Sequence, residues 1–129
     1  MASKHEQTVR AWADAFNRGD LDANLAFVHP EIEIADPERT GKSWHGHDGY
    51  RAFVDEWLEN FDSYKLELLE IEDGPSGTFI RGEQTGKGAG SGLEFELRIH
   101  FAVRFRDGKV AYYRIATDPE TARREVGLE

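Results

Sequence analysis

Hydrophobic residues in the first half of the chain recur every three or four positions, which is the spacing of amphipathic helices. The first helix is predicted over residues 4–17, where Ser3 and Glu6 form a capping-box pattern. A second, short helix is predicted after the turn NRGD and ends before Pro30. The segment GHDGYRAFVDEWLENF predicts a third helix with an aromatic stripe, formed by Tyr50, Phe53, Trp57 and Phe61.

In the second half, apolar and polar residues alternate instead, which predicts β-strands. An early strand over residues 31–36 is followed by a polar loop over residues 37–45. A short polar helix capped by Asp118 is predicted at the end of the chain. Between them, strands are predicted near 64–73, 78–86, 92–106 and 109–117, joined by the turns DGPSG, GKGAGSG and RDGK.

The strand near 92–106 has one apolar and one polar face, so we expect one packed face and one wetter face. Its apolar face consists of Leu93, Phe95, Leu97, Ile99, Phe101, Val103 and Phe105. Its polar face consists of Glu94, Glu96, Arg98, His100, Ala102 and Arg104.

Helices that come first and strands that follow predict an α+β fold, with the helices on one face of a curved sheet. A strongly bent sheet around a long helix makes a cone, and bulky aromatic residues tend to leave a cavity inside it. Asp36 shares the face of its strand with Ile32 and Ile34, so it is expected to point into this cone.

Composition excludes several classes of function. The chain has 129 residues, which predicts a single domain over residues 1–129. Its net charge of -9 and its scattered basic residues argue against nucleic acid and anionic membranes as partners. It has no cysteine, and neither a membrane-spanning run nor a signal-peptide pattern is found, so a cytoplasmic protein is expected.

The segments AFNRGDLDANLAFVHPEIEIADP, GHDGYRAFVDEW, GKGAGSG, FRDGKVAYYRIATD and EVGL cover nearly the whole chain. Together they resemble the SnoaL-like family of the nuclear transport factor 2-like superfamily, which includes polyketide cyclases, ketosteroid isomerases and limonene epoxide hydrolases. The resemblance implies a cone-shaped, strongly curved, mostly antiparallel sheet wrapped over N-terminal helices, also called cystatin-like. Fold alone does not decide the reaction in so diverse a family.

The resemblance implies a role for Asp36, which matches the general base of the ketosteroid isomerases. Their oxyanion-hole tyrosine falls at Trp12, which lacks a hydroxyl, and their protonated acid falls at Phe101. Steroid isomerisation is therefore disfavoured, because oxyanion stabilisation is among the largest catalytic terms.

Two other mechanisms of the family are not supported either. Arg81 and Glu83 resemble part of the epoxide hydrolase triad, but the acid expected in the last strand falls at Ile115. The cyclases use an acid and often histidines inside the cone, whereas His100 lies on the polar face of its strand.

Asp36 has two interpretations that the sequence leaves open. It is a general base at the cavity wall, or it is a strand-end carboxylate that accepts hydrogen bonds from a turn. Aromatic and neighbouring residues of the predicted cone are candidates to line an apolar ligand pocket, although some of them can be simple core residues. These candidates are Trp12, Phe16, Trp44, Phe53, Trp57, Phe101, Tyr113, Ile115 and Thr117.

Neither a metal nor a cofactor is expected. His45 and His47 have a spacing found in metal sites, but no third ligand lies nearby in the sequence. The glycines of GKGAGSG connect two strands, so no helix N-terminus follows them to hold a phosphate.

The outer face of the sheet predicts a homodimer, since its mixed charges would let opposed strands pair and relatives implied by the resemblance commonly dimerise there. This face consists of Glu94, Glu96, Arg98, His100, Arg104, Tyr112 and Arg114.

Two functional hypotheses follow. The first is a cofactor-independent isomerase, cyclase or lyase that acts on a small apolar carbonyl compound, with Asp36 moving the proton and Trp12, Trp44 or Tyr113 polarising the carbonyl. The second is a non-catalytic module for small-molecule binding or dimerisation on the same fold.

Overall fold

The computed structural model describes residues 3–128, which contain four helices and six strands. Helix α1 is capped by the Ser3 hydroxyl, which accepts a hydrogen bond from the Glu6 N–H, as the capping box predicts. The helices are α1 (Lys4–Asn17), α2 (Leu21–Leu25), α3 (Gly46–Leu58) and α4 (Pro119–Glu125). None of these helices is long and apolar enough to cross a membrane.

The six strands form one sheet in the order β2-β1-β6-β5-β4-β3. Only β1 and β6 run parallel, and the other neighbours are antiparallel. The predicted α+β fold with a curved, mostly antiparallel sheet is confirmed, and the structure adds that the sheet is not closed. The strands are β1 (Val28–Asp36), β2 (Lys42–His45), β3 (Phe61–Gly74), β4 (Gly77–Gly88), β5 (Glu94–Arg106) and β6 (Lys109–Ala116).

The main core lies between the three N-terminal helices and the inner face of the sheet. Ile32 and Ile34 of β1 are almost completely buried there, as their alternation with polar residues predicts. Aromatic side chains of α1 and α3 pack against Phe101 and Tyr113 from β5 and β6. The aromatic stripe of α3, formed by Tyr50, Phe53 and Trp57, therefore faces the sheet and bounds the interior of the cone. Phe61 was predicted to belong to this stripe, but α3 ends at Leu58 and Phe61 begins β3.

The alternation in β5 suggests that the outer face of the sheet is exposed to solvent, but part of this face is covered. Helix α4 packs on it, so that Phe79, Ala102 and Ala116 form a second apolar cluster with Ala122 and Val126 of the C-terminal segment. The cluster is buried because α4 brings its own apolar residues to the polar face of the strand. The expectation of one packed and one wet face is therefore wrong for the middle of β5.

Helix α4 also satisfies two charges that were assigned to a dimer face. Glu125 of α4 accepts hydrogen bonds from Arg104 and Arg114. His100 is buried next to Phe79, with the two rings stacked 6.4 Å apart. Glu94, Glu96, Arg98 and Arg104 are still exposed, and a homodimer through this face stays a prediction.

The first part of β5 differs from its predicted burial. Leu93 and Leu97 are 72% and 58% exposed, although they share the face of Ile99 and Phe101. Leu93 precedes β5, and Leu97 lies in the part of β5 before His100, where β6 does not pair with it, so both residues lie toward the end of the sheet.

Candidate functional site

An apolar cavity lies inside the cone, between α1, α3 and the sheet. Its free volume is about 40 Å³, which is room for a few water molecules and not for an organic ligand in this arrangement. Ligand entry therefore requires the lining side chains to move. The lining residues are Trp12, Ala13, Phe16, Tyr50, Phe53, Trp57, Tyr64, Leu66, Leu68, Ile80, Phe101 and Tyr113.

Three residues from different helices form a buried polar group beside this cavity, which we call the Tyr50 cluster: Trp12, Asn24 and Tyr50. The Trp12 indole N–H donates to the Tyr50 hydroxyl at 2.9 Å. The Tyr50 hydroxyl donates to Asn24 Oδ1 at 2.5 Å, and Asn24 Nδ2 donates to the Trp12 carbonyl at 2.8 Å. Because the Trp12 N–H is already bonded, it is not free to polarise a ligand carbonyl as the sequence suggests.

Asp36 ends β1, is 1% exposed and points inward as its alternation with Ile32 and Ile34 predicts. Its carboxylate Oδ2 accepts a hydrogen bond from Arg39 Nε at 3.2 Å and one from the Thr40 hydroxyl at 3.3 Å. The backbone N–H groups of Thr40 and Gly41 donate to the main-chain carbonyl of Asp36, not to its carboxylate. We call Asp36, Arg39 and Thr40 the Asp36 cluster.

One oxygen of this carboxylate is left over. Asp36 Oδ1 is buried and bonds to no residue within 3–128. A buried acceptor without a donor is unusual, since most buried polar atoms in proteins are paired. Oδ2 is thus held by the turn while Oδ1 has no partner among the described residues, and both interpretations of Asp36 stay open.

Arg39 lies over an aromatic wall. Its guanidinium carbon is 4.4 Å from the centre of the Trp57 ring, which is within the range of a cation–π interaction. Phe53 and Trp57 line both the cavity and an open groove of about 400 Å³ on the other side. Asp36 and Arg39 line this groove, so the cluster lies where the apolar interior meets solvent.

Tyrosine side chains supply the hydroxyl groups of the cavity. Tyr64 donates to Gln84 Oε1 at 2.7 Å, and Tyr50 is bonded as described. The hydroxyl of Tyr113 makes no hydrogen bond to a described residue. Burial, assisted by Tyr64 and Tyr50, raises the pKa of Tyr113 well above its usual value, so this hydroxyl is a neutral donor at pH 7.

The structure places most of the predicted lining residues together. Trp12, Phe16, Phe53, Trp57, Phe101 and Tyr113 line the cavity. Trp44 lies in β2 opposite Ile34, packs on Phe53 and lines the groove.

Two predicted residues lie elsewhere. Ile115 is 1% exposed and belongs to the packed core, and it does not line the cavity. Thr117 follows the end of β6 and is exposed, and its N–H and hydroxyl bond to Glu38, whose pKa they lower. The alternation along β6 placed Thr117 with Tyr113, but the strand ends at Ala116 and the alternation ends with it.

The sequence did not single out Arg39, Thr40, Tyr50 or Tyr64 as site residues. A signal for Arg39 and Thr40 exists, because a side chain three or four residues after a strand-end carboxylate can turn back to it. Tyr50 was recognised only as part of a stripe. The hydrogen bonds of its hydroxyl involve Asn24 and Trp12, which are 26 and 38 positions away in the chain, and a local hydrophobic pattern cannot predict contacts over such separations.

The histidines considered for metal binding are not grouped. Within residues 3–128 no three histidine or acidic side chains are arranged to hold a metal ion. His47 Nε2 instead lies 2.8 Å from the Val28 carbonyl oxygen, which ties the start of α3 to β1.

Several solved structures share this fold. A nuclear transport factor 2-like protein of unknown function from Burkholderia pseudomallei K96243 is 24% identical, with a TM-score of 0.80 over 97% of this chain and 98% of that one. TerC, co-crystallised with polyporic acid, is 21% identical, with a TM-score of 0.80 over 96% and 98%. A candidate SnoaL-like polyketide cyclase from Jannaschia sp. CCS1 is 16% identical, with a TM-score of 0.77 over 98% and 93%.

Sequence comparison gives the family. No match was found among curated proteins. The SnoaL-like domain model matches residues 9–113, which include both polar clusters and the whole cavity lining. This chain belongs to the SnoaL-like domain family.

Proposed function

We propose that this protein is a cofactor-independent enzyme that transfers a proton on a small, largely apolar carbonyl compound bound in the cone. Asp36 is the base, and the reaction class is that of an isomerase, cyclase or lyase. The observation that carries the proposal is the buried Oδ1 of Asp36, which has no partner among the described residues. Burial of a carboxylate oxygen without a hydrogen-bond donor costs folding free energy. A general base needs such an unoccupied oxygen, because this oxygen has to accept the proton of the substrate.

The cavity that shares Phe53 and Trp57 with the groove of Asp36 favours an apolar substrate. The cavity is lined by aromatic and aliphatic side chains, with the unbonded hydroxyl of Tyr113 as its free neutral donor. Tyr113 is suited to donate a hydrogen bond to a carbonyl oxygen. The likeness to TerC, which was co-crystallised with polyporic acid, and to a candidate polyketide cyclase supports an oxygenated organic ligand for this chain as well.

The chemical step needs no external reagent. Asp36 Oδ1 takes the proton from the carbon next to the carbonyl, and the electron pair of that C–H bond forms the carbon–carbon double bond of an enolate. The carbonyl π electrons move to the oxygen, which becomes negatively charged. With a β,γ-unsaturated ketone the product is a dienolate, and return of the proton from Asp36 to its γ-carbon completes an isomerisation. With a dicarbonyl compound the enolate carbon attacks the second carbonyl carbon, the π electrons of that carbonyl move to its oxygen, and the resulting alkoxide takes the proton back from Asp36, which completes a ring closure.

A non-catalytic binding module is the second candidate. It is favoured by the two hydrogen bonds that hold Asp36 Oδ2, since a turn carboxylate with partners also has a structural use. The small free volume of the cavity is consistent with either candidate, because both need the aromatic wall to move.

The two candidates differ in what Asp36→Asn does. We would incubate the protein in D2O with a panel of small aryl ketones and β,γ-unsaturated ketones and follow loss of the α-proton signals by NMR. The enzyme hypothesis predicts exchange by the wild-type protein and its loss in Asp36→Asn. The binding hypothesis predicts ligand-induced changes in tryptophan fluorescence that survive in Asp36→Asn, with no exchange by either protein.

A further inference from the structure

An enolate needs a group that stabilises its oxygen, and the positions that supply this group in ketosteroid isomerases do not supply it here. The Trp12 N–H donates to Tyr50 and is therefore occupied. Phe101 has no polar atom, and its ring is stacked on Tyr113 with the centroids 4.9 Å apart. Tyr113 can give one neutral hydrogen bond, which is weaker than a bond from a charged donor.

Arg39 has unused donors next to the base. Its only hydrogen bond to a described residue runs from Nε to Asp36 Oδ2, so the N–H groups of both Nη atoms are available. The guanidinium carbon lies over the Trp57 ring, and this cation–π contact helps to hold the guanidinium beside Asp36. Its side chain is 41% exposed, so its terminal nitrogens are accessible from the groove.

The atoms that are free on these two side chains match the needs of the reaction. Asp36 offers an unpaired oxygen, and Arg39 offers unpaired N–H donors, while the bond between Oδ2 and Nε holds both groups in place. The other cation that lines the groove, Lys42, lies 3.6 Å from Glu56 and is paired with it. Arg39 is thus the positive charge best placed to meet a negative oxygen beside Asp36.

We propose that Arg39 is a second catalytic residue, whose Nη groups bind the oxygen of the enolate while Asp36 Oδ1 takes the proton. This inference rests on the proposed function and adds the substrate's orientation to it. The carbonyl oxygen faces the groove, the α-carbon lies beside Asp36, and the apolar remainder of the molecule enters the cavity. The substrate class is a planar carbonyl compound that can lie along Trp57.

A stable oxyanion tests the role of Arg39 without turnover. The 4-nitrophenolate anion mimics the charge of an enolate on a flat ring, and 4-nitroanisole has a similar shape without the charge. The ratio of their affinities, measured by quenching of tryptophan fluorescence at a pH where the phenol is ionised, reports preference for the negative oxygen. We would compare wild type, Arg39→Met, Arg39→Lys and Asp36→Asn.

The expected result is a preference for the phenolate that falls by about 10- to 100-fold in Arg39→Met and by less in Arg39→Lys, as expected for loss of a charged hydrogen bond. Asp36→Asn should raise phenolate affinity, because a competing negative charge is removed. Arg51→Met is the matched control, since Arg51 also pairs with an acid three residues away, Asp48, but lies on the exposed face of α3. Arg51→Met should leave the ratio unchanged.

Two results would overturn the inference: no preference for the phenolate in either wild type or Asp36→Asn, or an equal preference in wild type and Arg39→Met. Thermal unfolding followed by circular dichroism checks that the variants fold. If Arg39→Met does not fold, the comparison of wild type with Arg39→Lys still decides the test.

Failure of the proposed function has a different signature. If phenolate binding depends on Arg39 but no ketone exchanges its α-protons, the anion site stands and the enzymatic role does not. If ketones exchange equally fast with wild type and Arg39→Met, the enzymatic role stands and the role of Arg39 is refuted.

Discussion

The Tyr50 cluster is buried beside the apolar cavity, whereas the Asp36 cluster lines the groove on the other side of Phe53 and Trp57, with Asp36 buried and Arg39 and Thr40 exposed. The two clusters also differ in how their hydrogen bonds are used. In the Tyr50 cluster, each of the three residues donates one hydrogen bond to another member and accepts one. No buried side-chain nitrogen or oxygen of these described residues is unpaired. In the Asp36 cluster, one carboxylate oxygen and the guanidinium ends are left over.

This difference in hydrogen bonding predicts that the two clusters have different roles, one in stability and one in function. A closed network fastens α1, α2 and α3 to one another and gains little from a ligand. An incomplete network costs stability until something binds to it, which is the usual property of a site. We therefore expect substitutions in the Tyr50 cluster to act on unfolding and substitutions in the Asp36 cluster to act on chemistry.

The largest effect is expected for Asp36. Asp36→Asn should lower kcat/KM for α-proton exchange by about 10²- to 10⁴-fold, the usual contribution of a general base. Asp36→Glu should lie between the two proteins, because it keeps a carboxylate and moves it by one methylene group. Urea unfolding of Asp36→Asn should change by less than about 1 kcal/mol, since the half-exposed Arg39 can be hydrated. A loss of unfolding free energy as large as the loss of transition-state stabilisation, calculated from the change in kcat/KM, would contradict a functional role.

Tyr50→Phe should have the opposite profile. Removal of its hydroxyl leaves the Trp12 N–H and Asn24 Oδ1 without their partner, which costs about 1–3 kcal/mol of unfolding free energy. Urea titration at pH 7 measures this loss. Phenolate affinity should stay within about twofold of wild type, because the Asp36 cluster is untouched, and a larger change would show that the two clusters are coupled.

This stability loss should shrink at high pH. Burial raises the pKa of Tyr50 above its usual value, so the unfolded chain loses this proton before the folded protein does. The wild type accordingly loses stability above about pH 10, by about 1.4 kcal/mol per pH unit from this residue, and Tyr50→Phe does not. The difference between the two proteins should narrow by about that amount near pH 11, and a constant difference would refute the assignment.

Tyr113→Phe is expected to have a smaller effect on activity. If the Tyr113 hydroxyl donates to the substrate oxygen, its removal should lower kcat/KM about 10-fold, as for one neutral hydrogen bond. Stability should hardly change, since this hydroxyl has no partner among residues 3–128. Thr117→Val is the matched control from the same end of the chain, and it should leave both kcat/KM and ligand affinity unchanged because Thr117 bonds to Glu38 outside the cavity.

Elements with a regular period could be predicted from the sequence. The predicted bounds of α1 agree with the structure, and the four later strands lie where the alternation places them. Strand β2 was missed because its sequence, KSWH, is short and polar, and it becomes a strand through pairing with β1. Strand β1 begins earlier than predicted, at Val28, because that residue pairs with Val110 of β6.

For the candidate site too, the sequence predicted only what a regular pattern of residues determines. The inward direction of Asp36 follows from Ile32 and Ile34, since all three share one face of β1. The placement of Arg39 over Trp57 does not follow from any period, because a turn residue meets a helix that begins several residues later. The unpaired Oδ1 likewise depends on which neighbours reach the carboxylate, and that is a property of the folded chain.

We expect the Asp36 cluster to perform chemistry and the Tyr50 cluster to maintain the fold. The most direct test is the rate of α-proton exchange for the best ketone of the panel, measured by NMR in D2O with wild type, Asp36→Asn and Tyr50→Phe under conditions where all three are folded. If this expectation is right, wild type and Tyr50→Phe exchange the α-protons at similar rates, and Asp36→Asn gives no exchange above background. Exchange that persists in Asp36→Asn, or that is lost equally in both variants, would contradict it.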